Sequence, residues 1–89
     1  MLLKRIQKLP IGYSEVFFNK VKYGVIRSDY NKGKSYKIYA EALSGNDFIS
    51  LNYYITNTKE HLKPCEMAEI KVINFLNNYS LIIQYNEQL

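Results

Sequence analysis

From Val21 to Ile55, apolar and polar residues alternate almost without a break over three consecutive segments. Val21, Tyr23 and Val25 alternate with Lys22, Gly24 and Ile26. Tyr36, Ile38, Ala40 and Ala42 alternate with Lys37, Tyr39 and Glu41. Ile49, Leu51, Tyr53 and Ile55 alternate with Ser50, Asn52 and Tyr54. Successive side chains of a strand point to opposite faces, so this period of two is the mark of a sheet with one buried face. It predicts strands over residues 20–30, 34–43 and 47–56. Asn31-Lys32-Gly33-Lys34 and Ser44-Gly45-Asn46-Asp47 lie between them. Each supplies a glycine for a tight turn, which makes the three strands consecutive antiparallel neighbours. A slip of one residue would turn Ile38 and Leu51 to solvent and move every contact with them.

After Pro64 the period changes. Ala68, Val72, Phe75, Leu76 and Tyr79 fall on one stripe of a helix predicted over 67–78, with Glu66 and Glu69 near its positive end. Leu2, Leu3, Ile6 and Leu9 share a face of a short amphipathic helix within residues 1–10, which stops before Pro10. Residues 11–19 are ambiguous, with Ser14 to Phe18 reading as a short strand or an extended lead-in. Asn57 to Pro64 reads as a polar connection, and the tail 80–89 as either a strand or more helix. The fold class expected is α+β in one small domain, 1–89. It comprises a three-stranded antiparallel meander, a C-terminal helix packed on one face, and a short N-terminal helix. The expected core is Val21, Tyr23, Val25, Ile38, Ala40, Ile49, Leu51, Tyr53, Val72, Phe75 and Leu76.

Composition narrows the setting without naming a chemistry. A chain of 89 residues is near the lower limit for a core that holds without staples, and nine Tyr and four Phe help to fill one. The net charge of +4 is compatible with a polyanionic partner and equally ordinary for a soluble protein. Cys65 is the one cysteine, so an intrachain disulfide is impossible and a cytoplasmic location is expected. Lys4, Arg5 and Lys8 interrupt the apolar N-terminus, which argues against a signal peptide, and no segment has the roughly 20 apolar residues of a membrane span.

Three segments carry a resemblance: Tyr23-Gly24-Val25; Tyr39-Ala40-Glu41 with Gly45-Asn46-Asp47-Phe48-Ile49-Ser50-Leu51-Asn52-Tyr53-Tyr54; and Leu62-Lys63-Pro64-Cys65-Glu66-Met67. In these the chain resembles a family of small bacterial proteins of uncharacterised function, and the resemblance covers most of Tyr23 to Leu76. Some members carry an automatic label as peptide methionine sulfoxide reductases, which would imply thiol chemistry at Cys65. The residues fit that label badly. A-type reductases set their cysteine in Gly-Cys-Phe-Trp and B-type enzymes in Arg-x-Cys-x-Asn, whereas Cys65 lies between Pro64 and Glu66. The family usually has proline after the methionine, and here Ala68 follows Met67.

Cys65 is the only residue with an obvious reactive reading, as a thiol before a helix beside Lys63 and four residues after His61. The plainer reading is a small buried hydrophobe. One His and one Cys cannot close a zinc site, and the carboxylates show no paired spacing, so neither a metal nor another cofactor is expected. The second face of the sheet is more suggestive. It carries Lys22, Ile26 and Ser28, then Lys37, Tyr39 and Glu41, then Phe48, Ser50, Asn52 and Tyr54. Tyrosines among lysines suit bases and phosphates, so the nucleic-acid contacts expected are Arg27, Lys34, Lys37, Tyr39 and Tyr54. The competing reading puts the N-terminal helix over this face, because Leu2, Leu3, Ile6 and Leu9 need burial. Dimerisation through the face comes next. The function expected is a small non-enzymatic binding module, as monomer or homodimer, with a nucleic acid or a protein as partner. The alternative is a redox protein using Cys65.

Overall fold

A computed structural model describes residues 2–82. The elements are α1 (Leu2–Lys8), β1 (Gly12–Phe18), β2 (Val21–Tyr30), β3 (Ser35–Ala42), β4 (Phe48–Thr56), β5 (Lys59–Pro64), α2 (Glu69–Asn78) and β6 (Ser80–Leu81). The fold is α+β. Its sheet is antiparallel throughout, in the order β5-β4-β3-β2-β1-β6. The three strands read from the alternation are β2, β3 and β4, and their register sets Arg27 beside Ile38 and Ile38 beside Leu51. Ile38 and Leu51 are fully buried, so the alternation was assigned to the correct face.

Six strands replace the three expected, and each omission has a physical cause. β1 joins β2 through Asn19 and Lys20, both at positive φ (54° and 66°), the paired left-handed geometry of a two-residue hairpin turn. No glycine marks that turn, which hid the hairpin. β5 replaces the polar connection: it pairs with β4 across the tight turn at Asn57 and Thr58. As an edge strand it is held mainly by backbone hydrogen bonds and carries Lys59 and Lys63, the charges that discourage further pairing. β6 is two residues long and adds to β1 on the opposite edge. The rest of the expected tail, residues 83–89, lies outside the described residues.

One face of this sheet is covered by both helices. Val16, Phe18, Tyr23, Val25, Ile38, Ala40, Ile49, Leu51 and Tyr53 point into a single core with Val72, Phe75, Leu76 and Tyr79 of the α2 region. Phe75 sits among aromatic rings, 5.1 Å from Phe18, 5.6 Å from Tyr23 and 5.8 Å from Tyr79. Ile6 and Leu9 are buried in the same core. The N-terminal helix therefore does not cover the second face, as the competing reading required. Six strands at about 4.8 Å spacing are roughly 24 Å across, whereas a ten-residue helix is about 15 Å long and 10 Å wide. One helix suffices for three strands; six leave room for a second beside it.

Two arginines fasten the helices. Arg5 of α1 donates to the carbonyls of Leu76 (2.6 Å) and Tyr79 (2.5 Å) at the end of α2, and its guanidinium lies 4.0 Å from the centre of the Tyr79 ring. Arg27 of β2 donates to the carbonyls of Gln7 (3.2 Å) and Leu9 (2.6 Å) at the end of α1. Unpaired carbonyls at a helix C-terminus are partial negative charges, which is why a guanidinium suits them. Asp47 ties the β3–β4 turn to the core side, accepting from Lys71 (2.7 Å) and Tyr23 (2.7 Å).

Candidate binding face

The second face of the sheet is covered by neither helix. Successive cross-strand rows can be followed along it from the register. Phe17 stands beside Lys22; then Glu15, Gly24, Glu41 and Phe48 form a row; then Tyr13, Ile26, Tyr39 and Ser50; then Ser28, Lys37, Asn52 and Lys63; then Tyr30, Ser35, Tyr54 and His61. The face divides by chemistry. Towards β1 it is apolar with carboxylates, with Tyr13 59% exposed, Leu43 50% and Ile26 48%. Towards β5 it is basic.

In the apolar part the tyrosines lie along the sheet. The Tyr13 hydroxyl donates to Glu15 (2.9 Å) and the Tyr39 hydroxyl to Glu41 (3.1 Å). Each bond raises the tyrosine pKa, because the neighbouring carboxylate accepts the proton that would have to leave. Tyr13 folds over Gly24. A Cβ built there would stand 2.8 Å from its hydroxyl oxygen, so only glycine admits the ring without a shift. Tyr13, Gly24, Ile26, Tyr39, Glu41 and Leu43 enclose a shallow hollow of about 200 Å³.

In the basic part Tyr54 stacks on His61, with ring centres 4.8 Å apart and planes within 17°. Lys37 and Lys63 flank Asn52 in the adjoining row, and Lys34 is exposed in the turn just before β3. Of the five expected nucleic-acid contacts, Lys37, Tyr39 and Tyr54 are on this face, and Lys34 is in the turn before β3, with its carbonyl bonded to the Ile55 N–H. Arg27 is not on this face. It is 9% exposed on the covered face, paired with Asp29 at 2.7 Å and spent on the end of α1. That assignment is corrected, and the alternation already contained the signal: Val21, Tyr23 and Val25 point inward, so Arg27 two residues later must too. Tyr13 and Phe17 were missed with β1, and Lys59 and Lys63 with β5.

Cys65 directly follows β5, with its thiol beside Asn52 of the open face. Its backbone N–H donates to the Ser50 carbonyl (2.9 Å), and its half-buried Sγ accepts from Asn52 Nδ2 at 3.5 Å. His61 is four residues away along extended chain, roughly 13 Å. It is held instead by the Tyr54 stack and by Thr56 Oγ1 at 3.2 Å. Among the described residues no three His, Cys, Asp or Glu side chains are grouped to hold a metal.

No protein-family model matches the chain, and neither a curated protein nor a solved structure matches it.

Proposed function

We propose that this protein is a small non-enzymatic binding module whose working surface is the open face of its sheet. One observation carries the reading: both helices are on the other side, which leaves Tyr13, Phe17, Ile26, Tyr39 and Leu43 in water on one continuous surface. Exposed apolar patches beyond a few hundred Å² mark interaction sites, since burying them is favourable by about 25 cal/mol per Å². Thiol chemistry lacks comparable support, because His61, the one histidine of the chain, is stacked on Tyr54 two rows away from Cys65 and cannot serve it as a base. Among the described residues no helix is long and apolar enough to cross a membrane.

Hydroxyl-radical footprinting tests the surface without presuming a partner. Tyr13, Ile26 and Tyr39 should be labelled in dilute purified protein and protected in intact cells that express it. Ile70, 70% exposed on α2, should be labelled equally in both. Equal labelling of all four would sink the proposal.

The basic part of the face supports a second reading, single-stranded nucleic acid, with Lys37 and Lys63 at phosphates, Lys34 reaching in from the neighbouring turn, and Tyr54, backed by His61, under a base. Affinity would then fall steeply with salt, each lost lysine lowering the slope by about one unit, and Tyr54→Ala would cost about 1–3 kcal/mol. Fluorescence anisotropy that stays flat with mixed oligonucleotides at low salt excludes it.

A further inference from the structure

The geometry points to a second copy of this chain as the occupant of the open face, in a two-fold dimer whose axis runs along the row Tyr13–Ile26–Tyr39–Ser50. The inference rests on the open face being a docking surface and names what docks there. Its basis is the order of charges on β3. Lys37, Tyr39 and Glu41 follow one another on the open side, with Tyr39 in the middle and a charge of opposite sign about 7 Å to either side. Neither Lys37 nor Glu41 has an ion-pair partner among the described residues.

Two sheets packed face to face sit about 10 Å apart with their strands nearly aligned. A two-fold axis lying between them and parallel to the central row reverses the order of the rows. Glu41 of each copy then faces Lys37 of the other, so the pair forms twice, and Ile26 and Tyr39 meet their own counterparts in the middle. An axis parallel to the strands would leave each row facing itself and bring Glu15 and Glu41 towards the carboxylates of the other copy. Charge therefore selects one of the two symmetric arrangements, and it is an isologous, closed one. Size agrees: the molecule measures 43 × 32 × 18 Å, so its broad side exceeds the roughly 800 Å² per partner of a standard interface. A nucleic acid fits this part of the face less well, because Glu41 stands beside Tyr39 and would repel phosphate.

Sedimentation velocity on the full chain over a concentration series tests this, with circular dichroism to show that each variant folds. The wild type should form a reversible dimer, and Ile26→Lys should abolish it. Glu41→Lys alone and Lys37→Glu alone should each weaken it by about tenfold, since each sets two like-charge pairs against one another. The two together should return the dimer to within about threefold of wild type, because the swapped charges meet again across the axis. Lys37 and Glu41 are too far apart to touch within one chain, so rescue reports contact between copies. A dimer indifferent to Ile26→Lys, or a double variant no better than the singles, overturns the arrangement. A wild type that is monomeric at millimolar concentration also overturns it. If Tyr13 and Tyr39 of that monomer are still protected in cells, the docking surface stands and its occupant is another molecule. Shifts of Lys37 and Tyr54 with oligonucleotide would make that molecule a nucleic acid.

Discussion

Tyrosines occur on both faces of the sheet, and what covers them decides what they do. Tyr23, Tyr36, Tyr53 and Tyr79 are less than 5% exposed and serve as core residues with a polar tip. Each hydroxyl has a partner: Tyr23 donates to Asp47, Tyr53 to Glu60 and Tyr79 to the Arg5 carbonyl, while Tyr36 accepts from Gln7. Tyr13 and Tyr39 on the open face have partners too, each with a carboxylate two residues along its own strand. The hydroxyls are thus equally satisfied, and the rings differ. The covered rings of Tyr23 and Tyr79 pack on Phe75, and those of Tyr36 and Tyr53 on each other; the open rings lie in water over Gly24 and beside Phe48. The same contrast appears in their titration. Burial is the leading cause that raises Tyr23 to about 12 and also raises Tyr53 and Tyr79, whereas for Tyr13 and Tyr39 the leading cause is the bond to a carboxylate.

Substitutions at matched positions break or sharpen this contrast. The largest effect belongs to Phe75→Ala, which empties a fully buried site among three aromatic rings and should cost about 3–5 kcal/mol in urea unfolding. Ile26→Ala on the open face, compared at a protein concentration low enough for the chain to be monomeric, should stay within about 0.5 kcal/mol. A comparable loss at Ile26 would mean that the open face is packed in the isolated chain. Next come the cations. Arg27→Met strips Asp29 and the Leu9 carbonyl of their partner and should cost about 3 kcal/mol, seen as a lower Tm, while Lys37→Met should leave the Tm of the dilute, monomeric chain nearly unchanged. Equal effects would show that Arg27 does not hold α1.

The smallest effects come from tyrosine hydroxyls. Tyr23→Phe should cost about 1 kcal/mol at neutral pH through the bond to Asp47. Because the folded pKa of Tyr23 lies above its ordinary value of 10.0, the folded state keeps a proton that the unfolded chain releases. That stability is whole below pH 10 and is lost as pH rises through about 12. The wild type should therefore lose stability over this range, and the Phe variant should lose less of it. Identical alkaline profiles would refute the assignment. Asp47 behaves in the opposite sense: its bonds to Lys71 and Tyr23 hold it below 3.8, so its contribution is present above that pH and fades as acid titrates the folded form.

The alternation of Val21 to Ile55, the glycine turns and the stripe through Val72, Phe75 and Leu76 were legible in the chain because side-chain pattern and buried face are the same fact there. Every expected core residue is buried except Val21, which is half-buried at the start of β2. Arg27 was legible too, had the period of two been followed through it. The edge strands were not. β5 brings only Leu62 and Pro64 to the covered side besides Glu60, and β6 is two residues, so neither writes a pattern strong enough to read.

Local order along this chain sets the period of each segment and the side it buries, since a strand or helix exposes its pattern residue by residue. Tertiary structure alone decided where the sheet stops and which face α1 covers. Edge pairing is made by backbone N–H and C=O groups that every residue carries, so composition does not announce it. The place of α1 depends on how much apolar area six strands leave beside α2, a quantity that exists only once the sheet is assembled. With both helices drawn to that side, Tyr13, Ile26 and Tyr39 remain in the open.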